Sequence, residues 1–143
     1  MKHIKLFEGF GYLSDKEKSL KDKISSDIDG ILVELVDKGF RIAKFIRIVN
    51  YASYVYIKID MKPTTGVGGY GKHFKYKEVK DYIHTIIDYL KYSIDRNIKI
   101  CFEVTEVVKI FDKQHYISTN SEPNLEKEIH SILLKIDYDD EIH

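Results

Sequence analysis

Tyr54-Val55-Tyr56-Ile57-Lys58-Ile59-Asp60 alternates apolar with polar or amphipathic side chains. In an extended chain successive side chains point to opposite faces, so Val55, Ile57 and Ile59 share one face while Tyr54, Tyr56, Lys58 and Asp60 share the other. Such a strand has one packed and one wet face, as antiparallel sheets allow. Residues 41–49, just before it, are likewise rich in β-branched and aromatic side chains, and Asn50 suits a reversal between the two runs. Together they predict an antiparallel hairpin.

Helical spacing flanks this hairpin on both sides. Before it, Ser14-Asp15-Lys16-Glu17 reads as a capping box, and Leu20, Ile24, Ile28, Ile31, Leu32 and Leu35 recur at steps of three and four. Gly39 provides a left-handed stop. After it, residues 63–72 contain Gly66, Gly68, Gly69 and Gly71 and predict a loop, since glycine loses much entropy in a regular element. Val79, Ile83, Ile86, Ile87, Leu90 and Ile94 then draw the stripe of a second helix over residues 75–94, flanked by Tyr82 and Tyr89.

Beyond that helix, Ile98, Ile100, Phe102 and Val104 alternate as a third strand, and Val107, Val108, Ile110 and Phe111 continue it out of phase, past a bulge at Thr105-Glu106. Residues 118–124 form a turn-rich break, and residues 125–128 a turn or short helical piece. The next stretch fits both periods: Ile129, Ile132, Leu133 and Ile136 suit a helix, while Ile132, Leu134, Ile136 and Tyr138 alternate. The alternation runs cleanly into Asp139-Asp140-Glu141, which favours a fourth strand over residues 131–138. The resulting order αββαββ predicts an α+β two-layer sandwich, with two helices on one face of an antiparallel sheet of about four strands. Tyr54 and Tyr56 would lie on the other face. Residues 1–13 read as a flexible arm, 14–138 as one domain and 139–143 as an acidic tail.

Composition bounds the function. At 143 residues with 43% hydrophobic side chains, the chain supports one domain with a real core. Lys+Arg and Asp+Glu both total 23, so no net field draws the molecule to nucleic acid or an anionic membrane. No apolar run approaches the ~20 residues of a membrane span, and a charged start argues against a secretory signal. A soluble protein that is not exported is the expectation. The single Cys101 excludes an internal disulfide framework and any Cys-rich zinc site.

The chemical motifs are sparse. Gly66-Val67-Gly68-Gly69-Tyr70-Gly71-Lys72 satisfies G-x-x-x-x-G-K, but His73 stands where a phosphate loop places a magnesium-binding hydroxyl. The strand before it is half polar, so nucleotide hydrolysis is not expected. Binding of a phosphate or nucleotide ligand by Gly68, Gly69, Gly71 and Lys72 is kept as the alternative function. Residues 58–80 carry an excess of four positive charges and residues 121–143 an excess of five negative ones. A basic patch with Tyr54, Tyr56, Tyr70, Phe74 and Tyr76 to stack bases is one reading and a solvated edge is the other, and no RNA- or DNA-binding signature favours the first. His84 reads as a surface pair with Asp88, and His115 is within plausible reach of Glu103 or Glu106. None of the six histidines has metal-ligand spacing. Neither a catalytic residue nor a cofactor is predicted. Eleven tyrosines without tryptophan suit a protein interface, although AT-rich codon bias enriches tyrosine equally.

The opening Met1-Lys2-His3-Ile4-Lys5-Leu6-Phe7-Glu8-Gly9-Phe10 resembles the short leaders of many proteins of T4-related tailed bacteriophages. In that group a prohead protease recognises Leu or Ile, any residue, then Glu, and cuts before a small residue. The resemblance implies processing at Leu6, Glu8 and Gly9, between Glu8 and Gly9, and a virion-associated protein. If the leader is retained, Ile4, Leu6, Phe7 and Phe10 would form a docking arm. The sequence therefore predicts a non-enzymatic structural or interaction component of a tailed phage, a possible homo-oligomer, contacting proteins through the arm and through Tyr54 and Tyr56.

Overall fold

The computed structural model describes residues 15–48, 53–61, 73–94 and 97–138. Its elements are helix α1 (Asp15–Asp37), strands β1 (Phe40–Arg47), β2 (Tyr54–Met61) and β3 (Phe74–Lys75), a 3-10 turn (Tyr76–Glu78), helix α2 (Lys80–Ser93), and strands β4 (Ile98–Ile110), β5 (Lys113–Thr119) and β6 (Glu128–Tyr138). They build one six-stranded sheet in the order β1-β2-β6-β4-β5, with β3 pairing with the start of β6 beyond the end of β2. Every pairing is antiparallel.

The registers sort the side chains into two faces. On one, Ile46, Val55, Ile136 and Ile100 stand in a row, followed by Lys44, Ile57, Leu134 and Phe102, then Ile42, Ile59, Ile132 and Val104. This face meets both helices: Ile24, Ile28, Leu32 and Leu35 of α1 and Ile83, Ile86 and Leu90 of α2 are buried with it in one core. A fully buried Ile or Leu side chain contributes about 1.5–3 kcal/mol relative to exposure, so this layer supplies most of the driving force. Lys44 is the polar member of the covered face. Its Nζ donates to Ser25 Oγ at 2.8 Å and pairs with Asp29 at 2.5 Å, so it fastens α1 to β1.

Tyrosines join the helices to each other. Tyr82 donates to Glu34 at 2.5 Å and Tyr89 to Asp27, each from α2 to α1. The expected stop after α1 is realised at Gly39, whose φ of +98° lies where side chains other than hydrogen are strained. The bulge is realised too: pairing shifts between Thr105 and Glu106, whose partners are Ser131 and Ile129, so His130 is the extra residue.

The α+β class holds, but the sheet has six strands rather than about four. The first missed strand, β3, is only Phe74-Lys75, too short to show a period. The second, β5, is exposed along almost its whole length, so no burial pattern marks its sequence. Two boundaries also move. β6 begins at Glu128, because β3 and β4 pair with its first residues. α2 begins at Lys80 rather than at residue 75, because Lys75 is extended in β3 and its N–H is capped by Glu78 Oε2 at 2.8 Å. Ser14, Asn50, the glycine loop and the acidic tail lie outside the described residues. Among the described residues no helix is long and apolar enough to cross a membrane.

Candidate interaction surface

The second face of the sheet carries no helix or strand among the described residues. Cross-strand rows read Arg47, Tyr54, Asp137 and Lys99, then Phe45, Tyr56, Lys135 and Cys101, then Ala43, Lys58, Leu133 and Glu103, then Arg41, Asp60, Ser131 and Thr105. Tyr54 and Tyr56 therefore stand where the sequence places them, two residues apart on one strand. Their ring centroids are 4.5 Å apart at an interplanar angle of 31°. Phe45 is the direct cross-strand neighbour of Tyr56 and is 56% exposed. Leu133 lies half-buried one row further on. Phe45 escaped the sequence reading, although it is out of phase with Ile42 and Ile46, and that parity is the signal that would have found it.

Ion pairs frame these rings. Tyr56 donates to Asp137 Oδ1 at 2.9 Å, and burial together with that acceptor raises its phenol pKa. Lys135 Nζ lies 5.7 Å from the Tyr56 ring centroid and donates to Glu103 at 2.7 Å, a hydrogen bond that raises the lysine pKa. Arg41 meets Asp60 with two hydrogen bonds of 2.9 Å, the forked geometry a guanidinium makes with a carboxylate. The arrangement is an apolar ring patch bounded by paired charges, a composition suited to protein contact.

At the bulge a second ring cluster lies on the same face. His73, Tyr116 and His130 approach edge to face with centroids 5.1–6.0 Å apart, and His73 Nε2 is 3.2 Å from the Tyr116 hydroxyl. Val107, the cross-strand partner of Tyr116, is 6% exposed yet stands apart from the main core. Burial and the neighbouring His130 lower the His73 pKa; Lys109 acts in the same direction, while Glu128 opposes them. His130 Nδ1 is buried without a hydrogen-bond partner among the described residues. The sequence concealed this cluster because two of its members flank or occupy the strands it did not reveal.

Part of the charge asymmetry is internal pairing between β3, with the turn after it, and the chain before β6. Lys75 and Lys77, from the basic stretch, both bind Glu126 of the acidic stretch at 3.0 Å. Phe74 and Tyr76 are core residues, 3% and 1% exposed, which corrects the reading that they are free to stack bases. Tyr76 donates to Glu122 Oε2 at 2.5 Å, and the same oxygen accepts from His84 Nε2 at 2.6 Å. His84 therefore pairs with Glu122 and not with Asp88, because the chain before β6 passes over α2. Partial burial works to raise the Glu122 pKa, but the hydrogen bonds from His84 and Tyr76 outweigh it and the net shift is downward. Burial, then Glu122, pushes the Tyr76 phenol far above its usual range. His115 stands opposite Val108, while Glu106 stands opposite Ile117 and Glu103 pairs with Lys135, so the structure shows no bond between His115 and either acid.

Several sequence-predicted residues lie outside the described ones: Ile4, Leu6, Phe7, Glu8, Gly9 and Phe10 of the arm, and Gly68, Gly69, Gly71 and Lys72 of the loop. Among the described residues no group of three or more His, Cys, Asp or Glu side chains is arranged to hold a metal. Comparison with protein-family models, with curated proteins and with solved structures finds no match to this chain.

Proposed function

We propose that the protein works by surface contact with other proteins, without catalysis, and that the helix-free face of its sheet is the contact surface. The observation that supports this most is the grouping of Phe45, Tyr54 and Tyr56, with Leu133 one row away, on the face opposite the helices. Tyrosine and phenylalanine bring large contact area at small entropic cost, and they concentrate in the buried centres of interfaces. The paired charges around them suit a polar rim, where ion pairs give orientation more than affinity. A tailed-phage virion as the setting rests on the leader resemblance at Leu6, Glu8 and Gly9, and intact mass of the protein from its source tests it: a chain beginning at Gly9 supports it and an uncut chain opposes it.

The contact surface is tested by the double variant Phe45→Ser/Tyr54→Ser, made beside Val33→Ser/Val36→Ser on the exposed side of α1. Proteins that co-purify with the wild-type chain should be lost from the first variant and kept by the second. Equal retention by both variants would remove the sheet face from consideration.

A further inference from the structure

The two edges of the sheet are not alike. β1 carries Arg41, Lys44 and Arg47 along its length, the kind of charged edge that discourages pairing with another chain. β5 is the opposite terminal strand, and its seven residues contain no proline and, of Lys, Arg, Asp and Glu, only Lys113, at one end. Its ladder with β4 runs from Lys113 to Thr119 with no shift of register, so no bulge twists the edge away. Tyr116 and Ile117 are 43% and 42% exposed, and among the described residues no strand pairs with the outer side of β5. An unguarded edge of this kind is a template for another strand.

We propose that β5 pairs antiparallel with β5 of a second copy of this chain, about a two-fold axis at Tyr116, joining two sheets into one. A closed dimer requires an edge complementary to itself, and this one is. With Tyr116 on the axis, Lys113 faces Thr119, Gln114 faces Ser118 and His115 faces Ile117, so no like side chains of Lys or His meet. Tyr116 meets its own copy, an aromatic cross-strand pair of the stabilising kind. Equal totals of 23 basic and 23 acidic residues leave no net repulsion between copies. Alternate residues of a strand present both backbone groups outward, so the paired edge makes roughly six or eight hydrogen bonds, depending on which set points out. A single strand-to-strand contact is small beside standard interfaces, so the dimer should be weak and its population should rise with protein concentration. The paired edge lies at the β5 end of the sheet, two strands beyond β6 and away from Phe45, Tyr54 and Tyr56 on β1 and β2, so the two contacts stand or fall separately.

The test is a charge exchange at exposed positions, read by sedimentation velocity and native mass. His115→Lys/Ile117→Lys and His115→Glu/Ile117→Glu each set like charges opposite one another in this register. The wild-type chain should dimerise with a concentration-dependent mass. Each variant should need at least about tenfold more protein to do so, and an equimolar mixture of the two should restore a dimer of intermediate mass. A wild-type chain that stays monomeric at several hundred micromolar, variants that dimerise as well as wild type, or a mixture that stays monomeric would each overturn the proposal. If the charge variants lose the far-UV spectrum of the parent, Tyr116→Cys in a Cys101→Ser background reads the same register: a disulfide-linked dimer on mild oxidation supports it, and its absence refutes it.

Discussion

Replacing Tyr76 by phenylalanine removes one hydroxyl from the junction between the core and the acidic stretch. The ring is 1% exposed and remains in place, so no cavity opens and the change isolates the hydrogen bond to Glu122. A hydrogen bond to a charged partner contributes about 1.5–3 kcal/mol. Glu122 keeps its bond from His84, and its side chain is 37% exposed, so water replaces part of the loss and the expected cost is about 1–2 kcal/mol. The pH dependence gives the sharper signature. Because the folded pKa of Glu122 lies below its unfolded value, its contribution is full above the unfolded carboxylate pKa and is lost as pH falls through the folded one. Tyr76→Phe should therefore cost most near neutral pH and less in acid. Tyr76 has a raised folded pKa, so its contribution is present below the unfolded phenol pKa of about 10 and is lost as pH rises beyond it. The variant should lose that part of the alkaline decline, a slope of about 1.4 kcal/mol per pH unit above pH ~10. Urea unfolding followed by far-UV circular dichroism at acid, neutral and alkaline pH measures all three. An unchanged midpoint at neutral pH, or an equal cost in acid and at neutral pH, would refute the assigned bond.

Two further outcomes are expected. Gly39→Ala should destabilise by about 1–2 kcal/mol in the same urea assay; the added methyl meets only Met61 Cε at 4.0 Å, so the cost comes from the φ of +98° and not from a clash. Inorganic phosphate and nucleotides should raise the melting temperature no more than sodium chloride of equal ionic strength, in the wild type and in Lys72→Ala alike; a phosphate-specific rise abolished by Lys72→Ala would restore the ligand-binding alternative.

The elements legible in the sequence are those that bury one side. α1, α2, β2, the first part of β4 and the end of β6 each press an apolar stripe into the common core, so the period of burial is written in the residues. β5 presses nothing inward, and Lys113-Gln114-His115-Tyr116-Ile117-Ser118-Thr119 reads as polar chain because its stability comes from backbone pairing with β4. β3 does bury Phe74, whose ring meets Phe40 edge to face, but two residues are too few to show a period. The site divides along similar lines. Tyr54 and Tyr56 were legible because parity on one strand fixes their face. Phe45 beside them depends on the β1–β2 register, and the His73, Tyr116 and His130 cluster on a bulge and two unmarked strands, which single-strand parity does not encode. The tyrosine content divides as well. Tyr76, Tyr82 and Tyr89 bind carboxylates and join elements of the fold, so the count of eleven overstates the material available to an interface.

Residue-resolved hydroxyl-radical footprinting of the isolated chain and of the chain in its native assembly bears most directly on the contact surface. Tyr92, 90% exposed on α2, serves as the reference on the helical side, with Phe45 and Tyr54 reporting on the open face. Phe45 and Tyr54 should be oxidised in the isolated chain and protected in the assembly, while Tyr92 is oxidised in both. Oxidation of Phe45 and Tyr54 to the same extent in both states, with or without protection of Tyr92, would contradict the proposed contact surface.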